Sequence, residues 1–139
     1  MDFEFNYTRL FVKDYKTCLD FYSSVLGLEI TFTSDIDEYA ELTNRDVKLT
    51  LLSQKQASGH FGFGTDFAFE PKNDGVALSF RVKDIHEACE YLKAKNVEIV
   101  SPPCSFADLG VTAALARDPD GNLIELTQMG DMVGADSNG

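Results

Sequence analysis

Val12-Lys13-Asp14 recurs as Val82-Lys83-Asp84, 70 residues further on in a chain of 139. A sequence that repeats itself at half its length is built from two copies of one supersecondary unit. Each copy follows a strand-like run, YTRLF before the first and VALSFR before the second. Each also precedes a helical pattern. Tyr15, Cys18, Leu19, Tyr22, Val25 and Leu26 form one apolar stripe, and Ile85, Ala88, Cys89 and Leu92 form the other. Asp14 and Asp84 stand where an N-cap is wanted, with Glu87 completing a capping box after Asp84. Gly27 and Asn96 supply the helix stops. A strand follows in each copy, LEITFTSD and VEIVSP, with Glu29-Ile30 matching Glu98-Ile99.

The rest of each half also reads as strands. Tyr39–Leu42 and Val47–Leu52 flank the turn residues Asn44-Arg45-Asp46. VTAALAR and NLIELTQ flank Asp118-Pro119-Asp120-Gly121. Each half is therefore β-α-β-β-β. The expected organisation is a single domain over 1–129, with one module at about 5–53 and another at about 76–128. Residues 53–75, rich in Gly and Phe, read as a long connecting loop, and 130–139 as a flexible tail.

Acidic residues outnumber basic ones 23 to 12, for a formal net charge of −11. A field of that sign repels nucleic acid and anionic membrane surfaces, so neither is an expected partner. No apolar run approaches the ~20 residues of a membrane span, and no signal peptide is visible in MDFEFNYTRL. Cys18, Cys89 and Cys104 are odd in number and lack C-x-x-C spacing, which suits reduced thiols and a cytoplasmic location.

The doubled unit carries two further words. Leu19-Asp20-Phe21-Tyr22 runs into Val25-Leu26-Gly27-Leu28, and Arg117-Asp118-Pro119-Asp120-Gly121-Asn122 runs into Leu123-Ile124-Glu125-Leu126. In that order they resemble the vicinal oxygen chelate superfamily of glyoxalases, bleomycin-resistance proteins and extradiol dioxygenases, over roughly 5–128. The resemblance implies an α+β fold, two tandem β-α-β-β-β modules forming a curved mixed-sheet cup, often as a homodimer. It also implies four metal-ligand positions in the metal-dependent members, two per half. Carried onto this chain they are Tyr7, Thr50, Ala77 and Glu125. Glu125 alone is a good divalent-metal ligand; Ala77 offers no donor, and Thr50 and Tyr7 offer neutral hydroxyls. The expected cofactor is therefore none, unless His60 joins Glu125 in a non-standard site.

Alternation along strands then sorts the side chains. With Tyr7 toward the cup, Arg9 and Phe11 follow it, while Thr8, Leu10 and Val12 turn to the helix. Ser79, Arg81, Lys48, Thr50 and Glu125 are assigned to cup faces in the same way. Arg9 reads as a clamp for an anionic or carbonyl-bearing small molecule, or as the ion-pair partner of Glu125. Lys48 and Arg81 read as rim groups. Phe61, Phe63, Phe67 and Phe69 seal a sheet edge, make a dimer contact, or form a lid hinged at Gly59, Gly62 and Gly64. Phe106 is a candidate wall and Cys104 an unactivated loop thiol. The function expected is metal-free binding of a small molecule. The alternatives are a lyase, dioxygenase or transferase with a non-standard metal or acid–base site, and a structural or regulatory module with a filled cup.

Overall fold

Asp14 and Asp84 begin both helices as the sequence predicts. The Asp14 carboxylate accepts from the Thr17 amide at 3.2 Å, and that of Asp84 accepts from the Glu87 amide at 3.0 Å. The computed structural model describes residues 1–61 and 74–130. The chain divides into two compact units between Glu70 and Pro71.

The first unit runs β1 (Thr8–Val12), α1 (Tyr15–Asp20), β2 (Glu29–Ser34), β3 (Tyr39–Asn44), β4 (Val47–Ser53) and α2 (Gln54–Phe61). α1 continues into a π-helical stretch, Phe21–Val25, and ends at Gly27 with φ +82°. The sheet order is β1-β4-β3-β2, with β1 parallel to β4 and the other pairs antiparallel. The second unit repeats it: β5 (Ala77–Arg81), α3 (Ile85–Ala94), β6 (Ile99–Phe106), β7 (Val111–Arg117) and β8 (Leu123–Met129), in the order β5-β8-β7-β6. Asn96 closes α3 at φ +63°, a left-handed conformation that Asn tolerates better than most residues.

The register of the two parallel pairs tests the internal repeat. Arg9 stands opposite Thr50 in one unit, and Ser79 stands opposite Glu125 in the other. Ser79 lies 70 residues beyond Arg9, so Thr50 and Glu125 are equivalent positions, as the repeat requires.

Each sheet packs an apolar face against its helix. In the first unit Val12, Ala40, Leu42, Leu49 and Leu51 are buried with Tyr15, Cys18 and Tyr22 of the helix. In the second, Ala114, Ala116, Ile124 and Leu126 are buried with Ile85, Cys89 and Leu92. The removal of this apolar area from water is the main force holding each helix on its sheet. Asp118 pins the β7–β8 turn. Its buried carboxylate accepts from the Asp120 amide at 2.9 Å, the Asn122 amide at 2.8 Å and the Asn122 side-chain amide at 2.9 Å.

Three expectations about connecting segments change. The stretch 53–75 is not a loop throughout, because α2 occupies Gln54–Phe61. Ser53 caps it through the Gln56 amide at 3.1 Å, and Ala57 is fully buried. Gly59 is therefore a helical residue with open space around it, not a loop hinge. Phe63, Phe67, Phe69, Gly62 and Gly64 lie outside the described residues. Pro102-Pro103-Cys104-Ser105-Phe106 is strand rather than loop. It lies on the edge strand of its sheet, and β6 slips register against β7 between Ser101 and Cys104, which is where prolines without N–H donors are tolerated. Finally, Gly130, expected in the tail, is tied to Gly110 by a backbone hydrogen bond of 2.6 Å; residues 131–139 lie outside the described residues.

Candidate functional site

The face of the first sheet turned away from α1 carries the polar side chains. Strand alternation and the observed register set them in rows. One row holds Arg9, Thr50, Glu41 and Phe32. The next holds Phe11, Leu52, Tyr39 and Ser34. Tyr7 lies one residue before β1, and Lys48, on β4, is exposed.

Arg9 is the centre of this face. Its Nε donates to Thr50 Oγ1 at 3.0 Å, and its Nη2 donates to the Tyr7 hydroxyl at 2.8 Å. The guanidinium lies over the Tyr7 ring, 5.1 Å from the centroid, and 5.6 Å from the centroid of the Tyr39 ring. Thr50 is fully buried, so Arg9 satisfies a hydroxyl that would otherwise be stranded there. Two hydrogen bonds and two aromatic faces hold the planar guanidinium in one orientation.

Beside it, the Tyr39 hydroxyl donates to Glu41 Oε2 at 2.5 Å. Burial pushes the Tyr39 phenol up to about 12; the hydrogen bond to Glu41 and that carboxylate's charge add to the rise, and the Arg9 cation opposes it. Tyr39 therefore keeps its proton through the neutral range. Its backbone carbonyl accepts from the buried Tyr15 hydroxyl at 2.8 Å, which fixes the strand beneath. Phe32, half exposed, leans on Tyr39 at 6.0 Å between centroids.

The corresponding face of the second sheet is plainer. Ala77, Ser79 and Arg81 alternate outward on β5 and are exposed. Glu125 and Thr127 on β8 are half-buried. Arg117, on the same face by register, is committed to structure. It holds Asp74 through two bonds of 2.8 and 3.1 Å, and it donates to the Gly121 carbonyl at 2.8 Å.

The sequence profile of the Glyoxalase/Bleomycin resistance protein/Dioxygenase superfamily matches residues 4–126. The chain belongs to that superfamily. It is 31% identical over 121 residues to the uncharacterized protein YraH of Bacillus subtilis (strain 168), covering 87% of this chain and 94% of YraH. It is 28% identical to the lactoylglutathione lyase of Pseudomonas aeruginosa over 154 aligned positions, covering 91% of this chain and 83% of that protein. Among solved structures, the genomically encoded fosfomycin resistance protein FosX of Listeria monocytogenes superposes with a TM-score of 0.70 at 15% identity. That match covers 92% of this chain and 94% of FosX, a likeness of fold.

A divalent metal at the superfamily's ligand positions does not fit the side chains present. In the first unit the resemblance assigns those positions to Tyr7 and Thr50, and both hydroxyls accept hydrogen bonds from Arg9. A cation therefore already uses one acceptor position on each hydroxyl, and its positive charge opposes a metal ion beside it. In the second unit Ala77 has no donor atom, leaving Glu125. Among the described residues no three His, Cys, Asp or Glu side chains converge as a metal cluster. His60, at the end of α2, instead sets its ring edge-on to Phe61 at 5.2 Å.

Tyr7, Arg9 and Thr50 are thus brought into one hydrogen-bonded group, with Phe11 on the neighbouring row. Lys48 and Arg81 are exposed. Phe61 and Phe106 are each about half exposed, at the ends of α2 and β6. The sequence reading missed Tyr39, Glu41 and Phe32. The signal was present: a turn at Asn44-Arg45-Asp46 sets Glu41 opposite Thr50, and alternation then carries Tyr39 to the same face.

Proposed function

We propose that the protein binds a small molecule on the polar face of its first sheet, around Arg9, without a metal at the superfamily's ligand positions. The observation that carries this is the pair of hydrogen bonds from Arg9 to Thr50 and Tyr7. They hold the guanidinium fixed on Tyr7 and Thr50, two positions that the resemblance assigns to metal ligands in the metal-dependent members. An oriented cation flanked by aromatic rings and half-buried apolar side chains has the character of a ligand site. The test joins elemental analysis of the purified protein to a thermal-shift screen of small metabolites. A ligand of the native state raises the melting temperature, and Arg9→Gln abolishes that rise. A metabolite whose shift survives Arg9→Gln contradicts the reading.

One observation favours a second reading, an enzyme working through acid–base groups. The Tyr39 hydroxyl, held protonated, is bonded to the Glu41 carboxylate at 2.5 Å, close to the cation of Arg9. A proton donor, an acceptor and a positive charge together suit proton transfer at a carbon next to a carbonyl. Turnover of a thermal-shift ligand in the presence of a chelator, lost in Glu41→Gln, is the result this reading requires. A cytoplasmic location and a homodimer complete the proposal, with neither nucleic acid nor membrane as partner. The charge of −11 supports the last two, and sedimentation velocity tests the dimer.

A further inference from the structure

Arg9 has five N–H donors. Nε goes to Thr50 and one hydrogen of Nη2 to Tyr7. Within the first unit no described residue accepts from Nη1. The Tyr7 hydroxyl, having accepted from Arg9, still has its own hydrogen to donate. Further along the same row, Glu41 Oε2 receives the Tyr39 hydroxyl, and Oε1 receives no described donor of the first unit. Buried Thr50 stands between Arg9 and Glu41 in that row, and the adjoining row sets Phe11, Leu52 and the Tyr39 ring alongside them. The face thus has a cationic, donor-rich group and an anionic, acceptor group, with an apolar strip running beside both.

We infer that the ligand class is a small molecule with a carboxylate at one end, an apolar body, and a protonated amine or other hydrogen-bond donor at the other. This deepens the proposal above and rests on it. The carboxylate meets Arg9 Nη1 and the Tyr7 hydroxyl, because a planar guanidinium with unclaimed N–H groups is matched by a planar anion. The donor end meets Glu41 Oε1. A second negative charge in place of the donor would face the Glu41 carboxylate and be repelled, so the site selects against dianions. Tyr39, its phenol pushed up to about 12, stays protonated through the neutral range and remains a donor to Glu41 there.

The experiment is isothermal titration calorimetry of the full chain at low salt with three probes: benzoate, its neutral isostere benzamide, and 4-(aminomethyl)benzoate. Charge-assisted hydrogen bonds predict that benzoate binds at least about tenfold more tightly than benzamide. 4-(Aminomethyl)benzoate is expected to bind more tightly still. Arg9→Gln removes the preference for benzoate over benzamide. Arg9→Lys keeps part of it, because the charge stays while the planar fork is lost, and circular dichroism establishes that both variants fold. Glu41→Gln acts in opposite directions on two probes: benzoate gains affinity as repulsion is relieved, and the advantage of the amine shrinks. Equal binding of benzoate and benzamide, an amine advantage untouched by Glu41→Gln, or no binding of any probe overturns the inference. Those outcomes leave the metal-free reading standing, whereas stoichiometric zinc binding overturns that reading whatever the probes do.

Discussion

Arg9 and Thr50 face each other across the parallel β1–β4 pair, and Arg9 Nε donates to Thr50 Oγ1 at 3.0 Å. Thr50 is fully buried, and its hydroxyl fixes a cation that the rest of the face is arranged around. Thr50→Val keeps the shape and removes the acceptor, leaving a guanidinium N–H without its partner. The expected cost is about 1–3 kcal/mol, read by urea denaturation. A loss within error of zero would show that Arg9 is held by the rings and Tyr7 alone.

Tyr39 sets a pH dependence at the alkaline end. Its folded pKa, about 12, lies above the ordinary value of 10. A raised pKa contributes stability that is fully present below pH 10 and lost as the pH climbs from 10 through about 12. Tyr15 is raised as well, by burial and then by the charges of Asp35 and Glu38, so it acts in the same direction. Ultraviolet titration of the phenols should show at least one tyrosine ionising late, and Tyr39→Phe should remove part of the alkaline loss of stability.

Asp118 anchors the β7–β8 turn by accepting from two backbone amides and one side-chain amide while 4% exposed. Asp118→Ala strands those donors. The expected destabilisation is about 2–4 kcal/mol, with Asp118→Asn costing less because one oxygen acceptor remains. Denaturation midpoints of the two variants test the order.

Much of this architecture could be read from the chain because its determinants are local. Asp14 and Asp84 cap, Gly27 and Asn96 turn left-handed, and strand alternation separates Leu49 and Leu51 from Thr50. The repeat supplied the register, which the Arg9–Thr50 and Ser79–Glu125 pairings reproduce. The site was harder to read. Glu41 and Tyr39 matter through cross-strand neighbours far off in sequence, and Tyr-x-Glu on a strand carries no signature of its own. α2 was hidden for a different reason: Gln54–Phe61 is mostly polar, contains Gly59, and buries Ala57 as its one apolar anchor.

The cysteines divide by burial. Cys18 and Cys89 are buried and Cys104 is exposed on its edge strand. Burial also raises the pKa of the Cys89 thiol, with the charge of Lys93 opposing it and that of Glu90 adding to it. A thiol reagent such as dithionitrobenzoate should therefore modify one thiol quickly in the native protein, at Cys104, and the other two only on unfolding. Mass spectrometry of the labelled peptides identifies the site. Rapid labelling of Cys89 would mean that α3 opens from its sheet.

The central claim is that Arg9 takes the place of a metal at Tyr7 and Thr50, and zinc titration reaches it most directly. The protein is stripped with chelator and titrated with zinc by calorimetry, in the wild type and in Glu125→Gln. The prediction is substoichiometric uptake, unchanged by the substitution. One equivalent of zinc, tightly held and lost in Glu125→Gln, would contradict the account.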